Sequence, residues 1–157
     1  MNEKFSLKVN VKSERPDFRV FGTYFFGDDF YNFDSEGNSF PVSSREWTEL
    51  YMKSRQNKDL WFDIGWINNE NKSILEVTSD KIENVNIIAY FLAKETNGEI
   101  FDDTNKPISL DILKNKMGNF DLKARLLLAE ESIWRKSSET NQYPNLEDGK
   151  SNEYTNR

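Results

Sequence analysis

SDKIENVNIIAYFLAKETNGEIFDD, residues 79–103, reads in one pass as cap, apolar helix, glycine stop and strand. Asp80 stands where its carboxylate accepts from the first free N–H groups of a helix, and Glu83 where it reaches back to the Asp80 amide, the reciprocal pairing of a capping box. At about 100° per residue, Ile82, Val85, Ile88, Ala89, Leu92 and Ala93 share one broad arc, the stripe of a core-facing helix. Ile87 and Phe91 fall on the opposite flank, so the helix is either covered on two sides or shows a small apolar patch. Asn97-Gly98 supplies the left-handed stop, and Glu99–Asp102 reads as a short strand returning to a sheet.

Working outward toward the N-terminus, Leu60, Phe62, Ile64 and Trp66 alternate with Trp61, Asp63 and Gly65. A turn at Asn68–Asn71 then leads to Ile74–Val77, and the pair reads as a hairpin. Residues 43–56 fit two templates. Ser43 and Glu46 match a capping box, with Trp47, Leu50 and Tyr51 on one helical face, whereas Thr48, Leu50 and Met52 alternate among β-favouring residues. Strand is the expectation. Phe30–Phe40 reads as an aromatic loop or loose hairpin. Residues 18–26, FRVFGTYFF, read as a strand apolar on both faces, with Gly22 marking a bulge or a close backbone approach. Phe5, Leu7, Val9 and Val11 alternate with polar residues as a half-buried strand.

Beyond Asp103, Ser109 caps a short helix that stops at Gly118. Asn119 or Asp121 opens a last helix, striped by Leu122, Leu126, Ala129 and Ile133, with Phe120, Leu127 and Trp134 beside it. The expected architecture is α+β: a single domain over residues 1–136, a mostly antiparallel sheet packed against two to three helices, and a polar C-terminal tail over 137–157. At 157 residues such a chain buries roughly two-thirds of its unfolded surface.

Composition narrows the chemistry. With no cysteine, disulfides, thiolate nucleophiles and cysteine-ligated metals are excluded; with no histidine, imidazole bases and Ser-His-Asp arrangements are excluded as well. A metal site would have to be all oxygen, and no glycine loop resembles a phosphate cradle. No cofactor is expected. The net charge is −6, with acids and bases interleaved throughout, which argues against a nucleic-acid binder. No run of signal-peptide or membrane-span length occurs, so a soluble cytoplasmic protein is expected.

Two acid pairs, Asp28-Asp29 and Asp102-Asp103, have the composition of a Mg²⁺ or Ca²⁺ site or of a glycosidase carboxylate pair, but lack ligand spacing. The alternative is that they satisfy turn backbones. If Leu60, Phe62, Ile64 and Trp66 face the core, Trp61, Asp63 and Ile67 face away. That leaves a tryptophan beside a carboxylate on a sheet surface, either covered by a helix or serving as a partner anchor. Glu95, Glu99, Asp102 and Asp103 outline an acidic edge or a solvated loop.

EWTELYMKSR (46–55), SILEVTS (73–79) and AYFLAKETNGEIFDD (89–103) together resemble small bacterial immunity proteins. Those proteins neutralise polymorphic toxins of contact-dependent growth inhibition or type VI systems. The resemblance implies a cytoplasmic, non-enzymatic protein that binds one toxin domain and blocks its active site or substrate groove. It carries over no individual residue. The composition is compatible: no catalytic toolkit, mild acidity, and 22 aromatic residues with which to anchor an interface. A cationic nuclease domain is the expected partner, with Asp28, Asp29, Glu99, Asp102 and Asp103 steering its approach and Trp61 and Asp63 anchoring it. The rival readings are a carboxylate- or divalent-metal-dependent hydrolase and a structural accessory subunit.

Overall fold

Alternating side chains set the two faces of one antiparallel sheet. In the computed structural model, which describes residues 3–27, 32–68 and 70–146, seven strands lie in the order β2-β3-β4-β5-β1-β6-β7. They are β1 (Phe5–Asn10), β2 (Phe33–Gly37), β3 (Leu50–Ser54), β4 (Trp61–Trp66), β5 (Ile74–Ser79), β6 (Glu99–Phe101) and β7 (Pro107–Ile108). Leu7, Val9, Leu50, Met52, Phe62, Ile64, Leu75, Val77 and Ile100 point to one side and are buried. On that inner side lie helices α1 (Phe18–Phe26) and α2 (Ile82–Thr96), with α3 (Leu110–Lys114) packed on α2 and α4 (Leu122–Glu130) on α1.

α2 is the helix expected from its sequence, and it is covered on two sides. Val85, Ile88, Ala89 and Leu92 are inaccessible, and so is Phe91 on the other flank, whose ring stacks on Tyr24 of α1 at 4.0 Å. Ile82 is the exception in the stripe, since it is substantially exposed. Asn97 ends the helix in the left-handed conformation at φ 52°, and Gly98 N–H donates to Ala93 O at 2.8 Å.

The capping box does not form. Lys81 occupies the N-cap without a side-chain bond, and Asp80 Oδ1 has no hydrogen-bond partner among the described residues. The start of the helix is tied instead to β4 and the turn before it: Asn84 donates to Asp59 O at 2.8 Å, and Ser79 Oγ donates to Trp61 O at 2.8 Å. These cross-links, and not a reciprocal cap, hold the turn that leads into α2.

The segment read as a strand over 18–26 is α1. Asp17 caps it, accepting from Arg19 N–H at 2.9 Å. Arg19 through Phe25 are all buried, so a helix enclosed between sheet and α4 looks apolar on both faces of a two-residue period. Gly22 provides a close approach, not a bulge: a Cβ there would meet the Phe33 ring at 3.1 Å and Met52 Cε at 3.2 Å. Residues 43–49 are irregular and lead into β3, so the strand alternative holds from Leu50. Trp47 is buried beneath them, donating to Pro16 O at 2.8 Å.

The last helix is shorter than its stripe suggests. Asp121 caps α4, which stops at Glu130; Ser132 then starts a separate 3₁₀ turn over Ile133–Lys136, and Leu127 is left 56% exposed. The division expected at residue 136 falls inside packed structure, because Ser137 and Pro144 are buried. The reason is a polar junction. Asp17 is wholly buried and receives Arg19 Nε at 2.9 Å, an Arg19 terminal nitrogen at 2.6 Å and Ser137 Oγ at 2.6 Å. Arg45 donates to Ser137 O at 2.9 Å, while the Arg19 guanidinium lies 4.1 Å from the Trp134 ring centre and 5.3 Å from that of Tyr143.

Candidate functional site

The described helices all lie on the inner side of the sheet, and none of them covers its outer face. None of its outward positions is buried among the described residues, from Asp34 and Glu36 on β2 to Glu99 and Phe101 on β6. Among the described residues no helix covers Trp61 and Asp63.

Register sets what meets on this face. Glu36, Tyr51, Asp63, Thr78 and Ser6 form one row across five strands. In the next row Gly65 faces Glu76, which faces Lys8, which faces Phe101. Gly65 leaves a gap in the pleat, since a Cβ built there meets nothing within 4 Å. Around it opens a shallow depression of about 810 Å³, walled by Glu36, Glu49, Tyr51 and Asp63. Trp61 borders this area, with its ring 6.1 Å from that of Tyr51 and the Lys4 ammonium 5.9 Å from its centre.

Acids and bases both stand on this face, with Lys53 opposite Asp34 and Trp61 and Lys8 opposite Glu76, and the acids gather around Asp63. Partial burial pushes the Asp63 carboxyl above its ordinary range; Lys4 opposes the shift, and Glu49 and Glu76 add to it. Burial also raises the Tyr51 phenol, with Asp63, Glu36 and Asp34 pushing the same way. The negative charges of Glu49 and Glu76 beside Asp63 favour an incoming cation there.

The other expected site residues are scattered. Glu99 shares the outer face but lies three strands from Asp63, roughly 14 Å across the sheet, and pairs with Lys12 at 2.9 Å. Asp102 shapes the β6–β7 turn: its Oδ1 accepts from Thr104 N–H at 2.8 Å, Thr104 Oγ1 at 2.7 Å and Lys106 N–H at 2.9 Å. The hydrogen bonds from Thr104 and Lys106 hold its carboxyl below the usual range, so the backbone role is the one observed. Asp103 is exposed in the same turn. Asp28 and Asp29 lie outside the described residues. Of the five expected residues that are described, Trp61 and Asp63 are brought together on the open face, and Asp102 and Asp103 share a turn away from them.

Glu36, Glu49, Tyr51, Gly65 and Glu76 were missed. The signal for two of them was present, since burying Leu50 and Met52 turns Glu49 and Tyr51 to the opposite face.

Among the described residues no group of three or more acids is arranged to hold a metal ion, and no helix is long and apolar enough to cross a membrane. No protein-family model matches the chain, and comparison with curated proteins and with solved structures finds no significant match.

Proposed function

We propose that the chain is an immunity-type inhibitor, a non-enzymatic cytoplasmic protein that binds a cognate toxin domain with a basic surface through the outer face of its sheet. The observation that carries this reading is the row Glu36–Tyr51–Asp63 beside Trp61 and the Gly65 gap: two aromatic anchors beside acids, on a sheet face that no helix covers among the described residues. Aromatic side chains in a depression dominate binding energy, while surrounding charge governs encounter rate. Steering falls to Glu36, Glu49, Asp63 and Glu76, which share the face, more than to the turn acids. A nuclease active site, basic because it holds a phosphate backbone, has the complementary charge.

The test is kinetic, using the protein encoded immediately beside this chain and a surface method that resolves both rates. Charge-neutral Glu36→Gln and Glu49→Gln slow association and flatten its dependence on salt. Trp61→Ala speeds dissociation about tenfold or more, the effect of losing one aromatic anchor. Salt-independent association, or a Trp61→Ala variant that dissociates normally, would sink the reading. A carboxylate-dependent hydrolase is the second reading, favoured by the raised carboxyl of Asp63 beside Tyr51. Unaided turnover that Asp63→Asn abolishes would establish it instead.

A further inference from the structure

The two ends of the sheet are built differently. β7 is two residues long and begins with Pro107, which has no N–H to offer a neighbour. Edges this short, with a proline, resist further pairing. β2 is five residues long without proline. Arg55 N–H donates to Asn32 O at 2.8 Å, and Asn38 N–H donates to Glu49 O at 3.2 Å. The antiparallel alternation then turns the backbone of residues 32, 34, 36 and 38 toward β3, and that of Phe33, Ser35 and Gly37 away from it. The outward N–H and C=O groups of these three residues have no hydrogen-bond partner among the described residues.

Side chains around this edge sort by face. On the outer side Asp34 and Glu36 are exposed, with Glu49 and Asp63 behind them. Asp34 is paired with Arg55 at 2.8 Å; Glu36 makes no ion pair among the described residues. On the inner side a pocket of about 240 Å³ opens beside the strand, lined by Phe18, Ser35, Val42 and Leu50.

We propose that β2 accepts an eighth strand: an extended segment of a partner protein whose alternate side chains are basic toward Glu36 and apolar toward the Phe18–Val42–Leu50 pocket. Main-chain bonds to Phe33, Ser35 and Gly37 would hold it, and the two faces would select its side chains. A second copy of this chain fits poorly. Pairing β2 with itself sets Asp34 and Glu36 against their own counterparts, and like charges directly opposed destabilise a strand pair.

The test titrates two peptides, acetyl-Thr-Lys-Val-Lys-Val-Lys-Thr-amide and its counterpart with Glu in place of Lys, into the isotope-labelled full chain. With the Lys peptide the amide signals of Phe33, Ser35 and Gly37 shift and their hydrogen exchange slows; with the Glu peptide they do not. Ser35→Pro removes an outward donor and spares the ladder to β3, and weakens the Lys peptide several-fold with the melting profile unchanged. Should that variant fail to fold, Glu36→Lys serves, and it reverses the preference toward the Glu peptide. Silence of all three amides at millimolar peptide, equal response to both peptides, or a chain dimer that Ser35→Pro dissociates would each overturn the assignment. A protein partner is all that is taken from the reading above. The titration uses no toxin, so its failure leaves that reading standing, and failure of that reading leaves the titration unaffected.

Discussion

The junction around Asp17 and the outer face around Asp63 contain the same kinds of residue, arranged to opposite ends. At Asp17 one carboxylate meets Arg19, Ser137 and a backbone amide, and the guanidinium beside it lies against Trp134 and Tyr143. Its charge is matched inside the chain, which is the condition for burying it. At Asp63 the neighbours are Glu49 and Glu76, with Lys4 the opposing cation, and Tyr51 and Trp61 keep part of their rings in water. Matched charge goes with burial at Asp17; at Asp63 the nearer acids are less completely matched and the aromatics beside them stay half-covered, which is the ground of the binding proposal.

Breaking the junction gives the largest effect. Asp17→Ala strands the buried Arg19 and removes the cap of α1, and costs roughly 3–5 kcal/mol in urea unfolding. It also opens residues 132–146 to proteolysis ahead of the rest of the chain. A cost below about 1 kcal/mol would make the two regions alike and end the comparison.

The outer face responds in the opposite sense. Gly65→Val has space for its side chain, and a β-branched residue suits a strand better than glycine. Stability changes by less than about 1 kcal/mol, upward. Partner binding falls as the depression fills, read by the same kinetic assay as Trp61→Ala. A destabilised variant would show that the gap serves packing.

The smallest effect sharpens the electrostatic half. Because the folded-state carboxyl of Asp63 titrates above its unfolded value, its contribution to stability is present below the unfolded value and lost as pH rises through the folded one. Asp63→Asn therefore raises the thermal midpoint modestly at pH 7, and the gain shrinks as pH falls into the carboxylate range. Melting curves across pH check the sign. A variant that melts lower at pH 7 would mean that Asp63 is satisfied by neighbours within the fold.

What was legible in the sequence was local. The two-residue period of β1, β4 and β5, the stop at Asn97, and the caps at Ser109 and Asp121 depend on neighbours within a few positions, and they appear where expected. α1 was misread because burial on all sides erases the polar face by which a helix is recognised, leaving Asp17 as the only local clue. The junction was invisible for another reason: Asp17 and Ser137 stand 120 positions apart, and no period links them. Trp61 and Asp63 were found because alternation alone assigns their face. The acids around them needed a register across strands, which only the fold supplies.

Order in the chain and order in the sheet disagree at β1, and this has a consequence in time. The first strand lies inside the sheet, bonded to β5 on one side and β6 on the other, so its nearest partner begins at residue 74. Both edges of β1 are paired across a long stretch of chain, whereas β2, β3 and β4 are a meander of sequence neighbours that does not include it. Pairings of such long sequence separation close late and slowly. Lys8, at the centre of β1, is the kind of charged side chain that discourages a strand with open edges from pairing with another chain.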